Sequence, residues 1–314
     1  VRAERFRALA WATIALTLAV IAWGAFVRAT GSGAGCGSHW PTCNGEIVHR
    51  PKSVATAIEL THRLTSGISF LTVVGLLVAA FRTFPRRHLV RTGAALSMFF
   101  MVTEAAVGAG LVLFEMVAEN KSAARALWMA AHLINTFFLL ASLALTLWWA
   151  HDRPRPVLRG LRALPVFGAL VGLLLVGTTG AIVALGDTLF PARSLAEGIA
   201  QDLAPGAHFL IRLRALHPAL AIGVGAAVTV WARRIAAGTA DRSTVRLANA
   251  AIVLYATQIS VGFLDLVLLA PVALQLVHLV VADVYWIVVV VLAAAHLEGA
   301  TEPVTAPVAI ASRA

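Results

Sequence analysis

Long apolar runs alternate with short polar stretches along the chain, each run about the 20 residues a helix needs to cross the hydrocarbon of a bilayer. Eight can be read: Phe6–Val27, Ala57–Phe81, Thr92–Phe114, Ala124–Ala150, Leu161–Leu185, Ala207–Ala232, Val245–Leu269 and Pro271–Leu297. A backbone in lipid must satisfy its own hydrogen bonds, and the alternation typical of barrel strands is missing. The pattern therefore predicts eight transmembrane helices. The first run continues past the length of a signal-peptide core without a convincing cleavage site, so it reads as a span and not a leader.

The polar positions set the orientation. One side receives Arg2, Arg5, Arg7, Arg82, Arg86, Arg87, Arg91, Arg153, Arg155, Arg159, Arg162, Arg233, Arg234, Arg242, Arg246 and Arg313, most of the 25 Lys and Arg residues. Arg28, Arg50, Lys52, Arg63, Lys121, Arg125, Arg193, Arg212 and Arg214 lie on or near the other. The positive-inside rule then places both termini in the cytoplasm, as an even number of spans requires. Composition sharpens the class: 60% of the 314 residues are hydrophobic, 13% are charged and the mean hydropathy is +0.85. That is too little charged surface for a soluble domain of this size. The net charge of +10 sits at the ends of apolar runs, not along one element, which argues against a nucleic-acid-binding face. The expectation is a multi-pass protein of the cell (inner or plasma) membrane, with the lipid bilayer as its partner and no nucleic acid.

Landmarks recur in order. Thr103-Glu-Ala-Ala-Val-Gly108 in the third run answers Thr257-Gln-Ile-Ser-Val-Gly262 in the seventh. His62 answers His217, and His132-Leu133 answers His278-Leu279, at similar offsets. Two copies of four helices each enter and leave on one side, so they are parallel repeats about an axis along the membrane normal. The expected fold is an all-α membrane protein of two pseudo-twofold related four-helix bundles, residues 1–150 and 151–314.

The candidate chemistry lies in that repeat. His39, His49, His88, His151, His208 and His296 fall in loops or at helix ends and are assigned none. His62, His132, His217 and His278 lie inside apolar spans, where imidazole is rare and faces the bundle interior. All four follow outer loops, which places them in the outer half of the bilayer. Facing helices can hold a planar macrocycle between two imidazoles, an arrangement suited to haem iron; close-spaced Cys/His pairs suited to zinc are missing. The expected pairs are His62/His132 and His217/His278. The copies differ beside them. Glu59 stands three residues before His62, on the same helical face, and can handle protons; Arg214 stands three before His217 and can bind a haem propionate, as can Arg63 and Arg212. An ion pair between Glu59 and Arg63 is the plainer alternative for the carboxylate. Glu104 reads as an interhelical contact, and Asp265 and Asp283 are given no role. Cys36 and Cys43 suffice for one bridge in an outer, Gly-rich loop, as a staple or as a redox element.

Val27-Arg-Ala-Thr-Gly-Ser-Gly, Cys36…Trp40-Pro-x-Cys43 and Glu59-Leu-Thr-His-Arg63 together resemble the haem A synthase family, as do His132-Leu133, Leu216-His-Pro218 and Gln275-Leu-Val-His-Leu279. The resemblance spans essentially the whole chain. It implies oxidation of the C8 methyl of haem O to a formyl group, through an alcohol. It also implies that His62 and His132 flank the substrate haem O, that Glu59 assists there, and that His217 and His278 ligate a haem b. Haem O synthase would supply the substrate, and a terminal oxidase or its assembly factors would receive haem A. Some members carry a second cysteine pair in the later copy; the loop over 186–206 here has none, so a bridge used chemically would be Cys36–Cys43. The competing readings are a di-haem b-type membrane electron carrier, which has no need of Glu59 in one copy only, and a transporter, which needs broken helices at mid-membrane.

Overall fold

The computed structural model describes residues 1–47, 50–157 and 163–298. Among them stand nine α-helices and no multi-residue strand: α1 (Arg2–Ala29), α2 (Val54–Thr83), α3 (Leu89–Leu113), α4 (Ala123–Trp149), α5 (Ala163–Leu189), α6 (Leu195–Leu203), α7 (Phe209–Gly238), α8 (Arg242–Val267) and α9 (Val272–His296). All but α6 are long and apolar enough to cross a membrane. Arg159, Arg162, Arg313, His49 and the start of the fifth run at Leu161 lie outside the described residues.

Polar residues at the run boundaries start the helices. Ser53 Oγ accepts from the Thr56 amide, Ser122 Oγ from Arg125, and the Asp241 carboxylate from Ser243 and Thr244. Each satisfies an amide that has no partner within its own first turn. The Ser243 and Thr244 hydroxyls, joined by the amides of the same two residues, hold the Asp241 carboxyl well below the usual carboxylate range. The spans run as the apolar pattern predicts, with two differences. Helix α7 continues to Gly238, because Arg233 and Arg234 extend the helix past the apolar stretch. The loop expected over 186–206 contains α6, nine residues capped by Ser194.

Sequence neighbours pack as antiparallel pairs: α1 with α2, α3 with α4, α5 with α7 and α8 with α9. Helices α1 and α4 also touch α5 and α9, so these four make the centre of the molecule. There Phe137 of α4 stacks on Trp286 of α9 at 5.0 Å and 16°, and the indole N–H donates to the Phe137 carbonyl at 2.7 Å. Leu140, Val289 and Leu292 fill the surrounding space, fully buried. Lipid tails are as apolar as these side chains, so van der Waals fit and such interhelical bonds, not water exclusion, hold the centre together. The packing leaves the starts of α2, α4, α7 and α9 at one end of the bundle, beside the loop that joins α1 to α2.

Candidate metal centre

His62, His132, His217 and His278 stand on α2, α4, α7 and α9, each about two turns from its helix start. They therefore occupy one level of the bundle. The His217 and His278 rings face one another with centroids 6.4 Å apart and planes at 84°. A metal bonded on both sides at about 2 Å would hold two imidazole centroids roughly 6 Å apart. His62 and His132 lie within electrostatic reach of each other.

Each ring faces a glycine on the long helix that precedes its own. A Cβ built on Gly24 of α1 would stand 2.9 Å from Cε1 of His62. On Gly180 of α5 it would stand 2.9 Å from Cε1 of His217, and on Gly262 of α8 it would stand 2.8 Å from Cε1 of His278. Real side chains do not approach so closely, so a side chain at any of these three positions would push the imidazole aside. Gly108 of α3 faces His132 less tightly, at 3.9 Å. Gly108 and Gly262 close the repeated sextets in the sequence. Gly24 and Gly180 carry no such motif, although they repeat within one residue of the spacing between His62 and His217.

The ring nitrogens have different partners. His217 Nδ1 meets the Thr179 hydroxyl at 3.2 Å, and His278 Nε2 meets the Gln258 amide nitrogen at 3.1 Å. His132 Nδ1 lies 3.0 Å from Glu104 Oε1, an ion-pair contact without hydrogen-bond alignment. The Nδ1 atoms of His62 and His278 are buried with no partner. At His217 and His278 the ring spacing, the open Nδ1 of His278 and the facing glycines fit a metal held between two imidazoles; at His62 and His132 the open Nδ1 of His62 and the facing glycines fit the same plan. Among the described residues no group of three or more His, Cys, Asp or Glu could hold a bare ion. A macrocycle that brings its own donors would need only two ligands from the protein, which the His217 and His278 rings could supply.

The flanking groups are arranged about the loop between α1 and α2. The Cys36 and Cys43 sulfurs lie 2.02 Å apart, a disulfide distance. Glu59 is buried; its Oε2 accepts from the Cys36 amide at 2.8 Å and its Oε1 from Arg63 at 2.5 Å. Arg63 also donates to the His39 carbonyl at 2.6 Å and the Thr42 carbonyl at 2.5 Å. Thr56 donates to the Gly35 carbonyl at 2.8 Å, and a Cβ on Gly35 would come within 2.6 Å of the Ala55 backbone. Glu59 and Arg63 thus fasten the cysteine ring to the helix that carries His62.

Arg214 pairs with Asp187 at 2.8 Å and Asp202 at 3.6 Å, and donates to the Phe190 carbonyl at 2.8 Å, which ties α6 and the end of α5 to α7. Arg212 donates to the Pro205 carbonyl at 2.7 Å. Arg28, read from sequence only as an end-of-span cation, joins the two repeats. It donates to the Ala184 carbonyl at 2.6 Å and Thr188 at 2.7 Å on α5, and to Gln275 at 2.8 Å on α9. Its place in the Val27-Arg-Ala-Thr-Gly stretch, at the edge of a Gly-rich loop, was the available signal.

A family model described as cytochrome oxidase assembly protein, COX15-CtaA, matches residues 7–57 and 51–290. A protoheme IX farnesyltransferase of Thermus thermophilus is 48% identical over 297 residues, 94% of this chain and 49% of that protein. A heme A synthase of Bacillus cereus is 34% identical over 168 residues, 53% of each chain, and one of Bacillus anthracis matches equally. The chain thus spans about half the length of the curated relatives it matches.

Proposed function

The chain belongs to the COX15-CtaA family of cytochrome oxidase assembly proteins, the family of the haem A synthases, and from that footing we propose that it oxidises the C8 methyl of haem O to the formyl group of haem A. The observation that carries the reading is a duplicated ligand plan with unlike surroundings. Both repeats offer two imidazoles that face glycines, three of them tightly, but only the first has a cysteine ring clamped over it by Glu59 and Arg63. A carrier of electrons alone needs no such difference. In this reading residues 1–150 and 151–314 form two four-helix bundles related by a pseudo-twofold axis. Both termini are cytoplasmic and the protein resides in the cell membrane.

In the first half His62 and His132 flank the substrate haem O. In the second, His217 and His278 hold a haem b, which supplies one-electron redox chemistry when bound. Converting the methyl to a formyl group removes four electrons and four protons and adds one oxygen atom, counted as from water, in two stages through the alcohol; the four electrons must pass to an external one-electron acceptor. Glu59 holds the cysteine ring over the first pair, and the ring keeps bulk water from the reacting carbon. Arg63 and Arg214 offer cations to haem propionates, each already partly neutralised by Glu59 or by Asp187 and Asp202. The enzyme that farnesylates protohaem supplies the substrate, and the terminal oxidase or its assembly factors take the product.

The Thermus relative's name favours a second reading, transfer of a farnesyl group to protohaem. Loss of diphosphate in such a transfer calls for divalent metal held by carboxylates. Among the described residues no acidic cluster suits an ion, and this chain accounts for only 49% of that relative. Two hosts separate the readings, the haems being extracted and identified in each: in a host that makes only protohaem, the appearance of haem O would mark farnesyl transfer, and a host that makes haem O but not haem A tests the oxidation. Haem A is the expected product. A coloured protein with haem O unconverted would leave the electron carrier, and a colourless protein would remove both.

A further inference from the structure

The haem reading above, on which this step rests, leaves one inequality between the halves unexplained. Three of the four rings leave less than 3 Å for a Cβ built on the facing glycine; His132 leaves 3.9 Å. Its Nδ1 is met instead by Glu104 Oε1 at 3.0 Å. That carboxylate is fixed on both oxygens: Thr136 donates to Oε1 at 2.5 Å and Asn135 to Oε2 at 2.6 Å. Asn135 is oriented in turn by the Thr103 hydroxyl at 2.6 Å and the Phe100 carbonyl at 2.8 Å. The counterpart of Glu104 in the second repeat is Gln258, a neutral amide that meets Nε2 of His278 and leaves its Nδ1 open to face a metal. The partners of the first pair are unequal too, because His62 Nδ1 has none while its counterpart on His217 meets Thr179.

We propose that Glu104 is a positioning residue that makes His132 the stronger, fixed ligand of the first pair and sets the first-half metal at a lower potential than the second. At 3.0 Å the carboxylate acts on Nδ1 through its charge, without an aligned hydrogen bond, and so enriches the opposite nitrogen; an electron-rich ligand favours the oxidised metal. A glutamine amide cannot do this. Electrons released in the first half would then run downhill to the second. His62, with no partner behind its ring, is the weaker member of the pair.

The test uses the full chain with both haems bound, read by potentiometric titration and by the low-spin electron paramagnetic resonance signals. In Glu104→Gln the first-half ferric-to-ferrous balance should shift about tenfold toward ferrous, about 59 mV for a one-electron couple, with an altered signal. The second-half haem should stay in place and unchanged, and so report that the fold is intact. Gln258→Glu should move the second-half haem the opposite way. Both potentials unmoved in variants that keep both haems would overturn the proposal. If Glu104→Gln loses both haems, Gln258→Glu decides alone, and an unmoved second-half potential overturns it. A wild-type protein without haem would instead fail the function proposed above.

Discussion

Gly180→Ala is expected to weaken haem retention in the second half by about 10- to 100-fold, the usual cost of disturbing a group that orients a metal ligand. The new Cβ would lie 2.9 Å from Cε1 of His217, so the ring must move by about half an ångström, the tolerance within which functional side chains are held. The substitution does not weaken the helix: alanine is better than glycine in a helix interior by up to about 1 kcal/mol. Any loss of haem therefore reports the contact with His217. Gly168 lies on the same helix with nothing within 4 Å of a built Cβ, and Gly168→Ala should retain haem fully. Spectra of the two purified variants, normalised to protein, make the comparison. Equal haem content would show that the glycine behind His217 is a passive feature of the packing.

The duplication explains what could be read from sequence and what could not. Apolar run length placed the eight spans, since lipid leaves few alternatives to a helix of that length. The order of His62, His132, His217 and His278 identified four side chains that the fold sets at one level of the bundle. Helix α6 escaped notice because nine residues give too little periodicity to stand out from a loop. The contacts of Arg28 on α5 and α9 were illegible for a different reason. They depend on how the two repeats are turned toward each other, and apolar pattern carries no information on that rotation. Glu104 was visible opposite Gln258 as an interhelical contact, but its reach to His132 required the register between α3 and α4. The glycines are the instructive case. A glycine in a transmembrane run is common, and only after the histidines are known to touch Gly24 and Gly180 does the repeat spacing of those two positions mean anything.

Glu59→Ala is expected to lower haem A formation by at least 100-fold while leaving the second-half haem spectrum intact. The carboxylate makes two kinds of bond that alanine cannot replace: one to the Cys36 amide and one to the Arg63 guanidinium. Losing it leaves a half-buried cation without its counter-charge, a change that approaches the several kcal/mol lost when a fully buried pair is broken from one side. Arg63 would be free to swing from the His39 and Thr42 carbonyls, and the cysteine ring would lose its hold on α2. Water would then reach the first pair. Glu59→Gln separates the two parts of the effect, because an amide can still accept from Cys36 but cannot neutralise Arg63. It should retain more activity than Glu59→Ala. Replacing Cys36 and Cys43 together with serine leaves the Glu59–Arg63 pair in place, and should cost less than Glu59→Ala if the ring serves as a cover and not as a redox partner. The haems extracted from cells carrying each variant give the measure. Unchanged haem A with Glu59→Ala would remove the clamped loop from the account of the reaction, and a double-serine variant as inactive as Glu59→Ala would assign the cysteines a share in the chemistry.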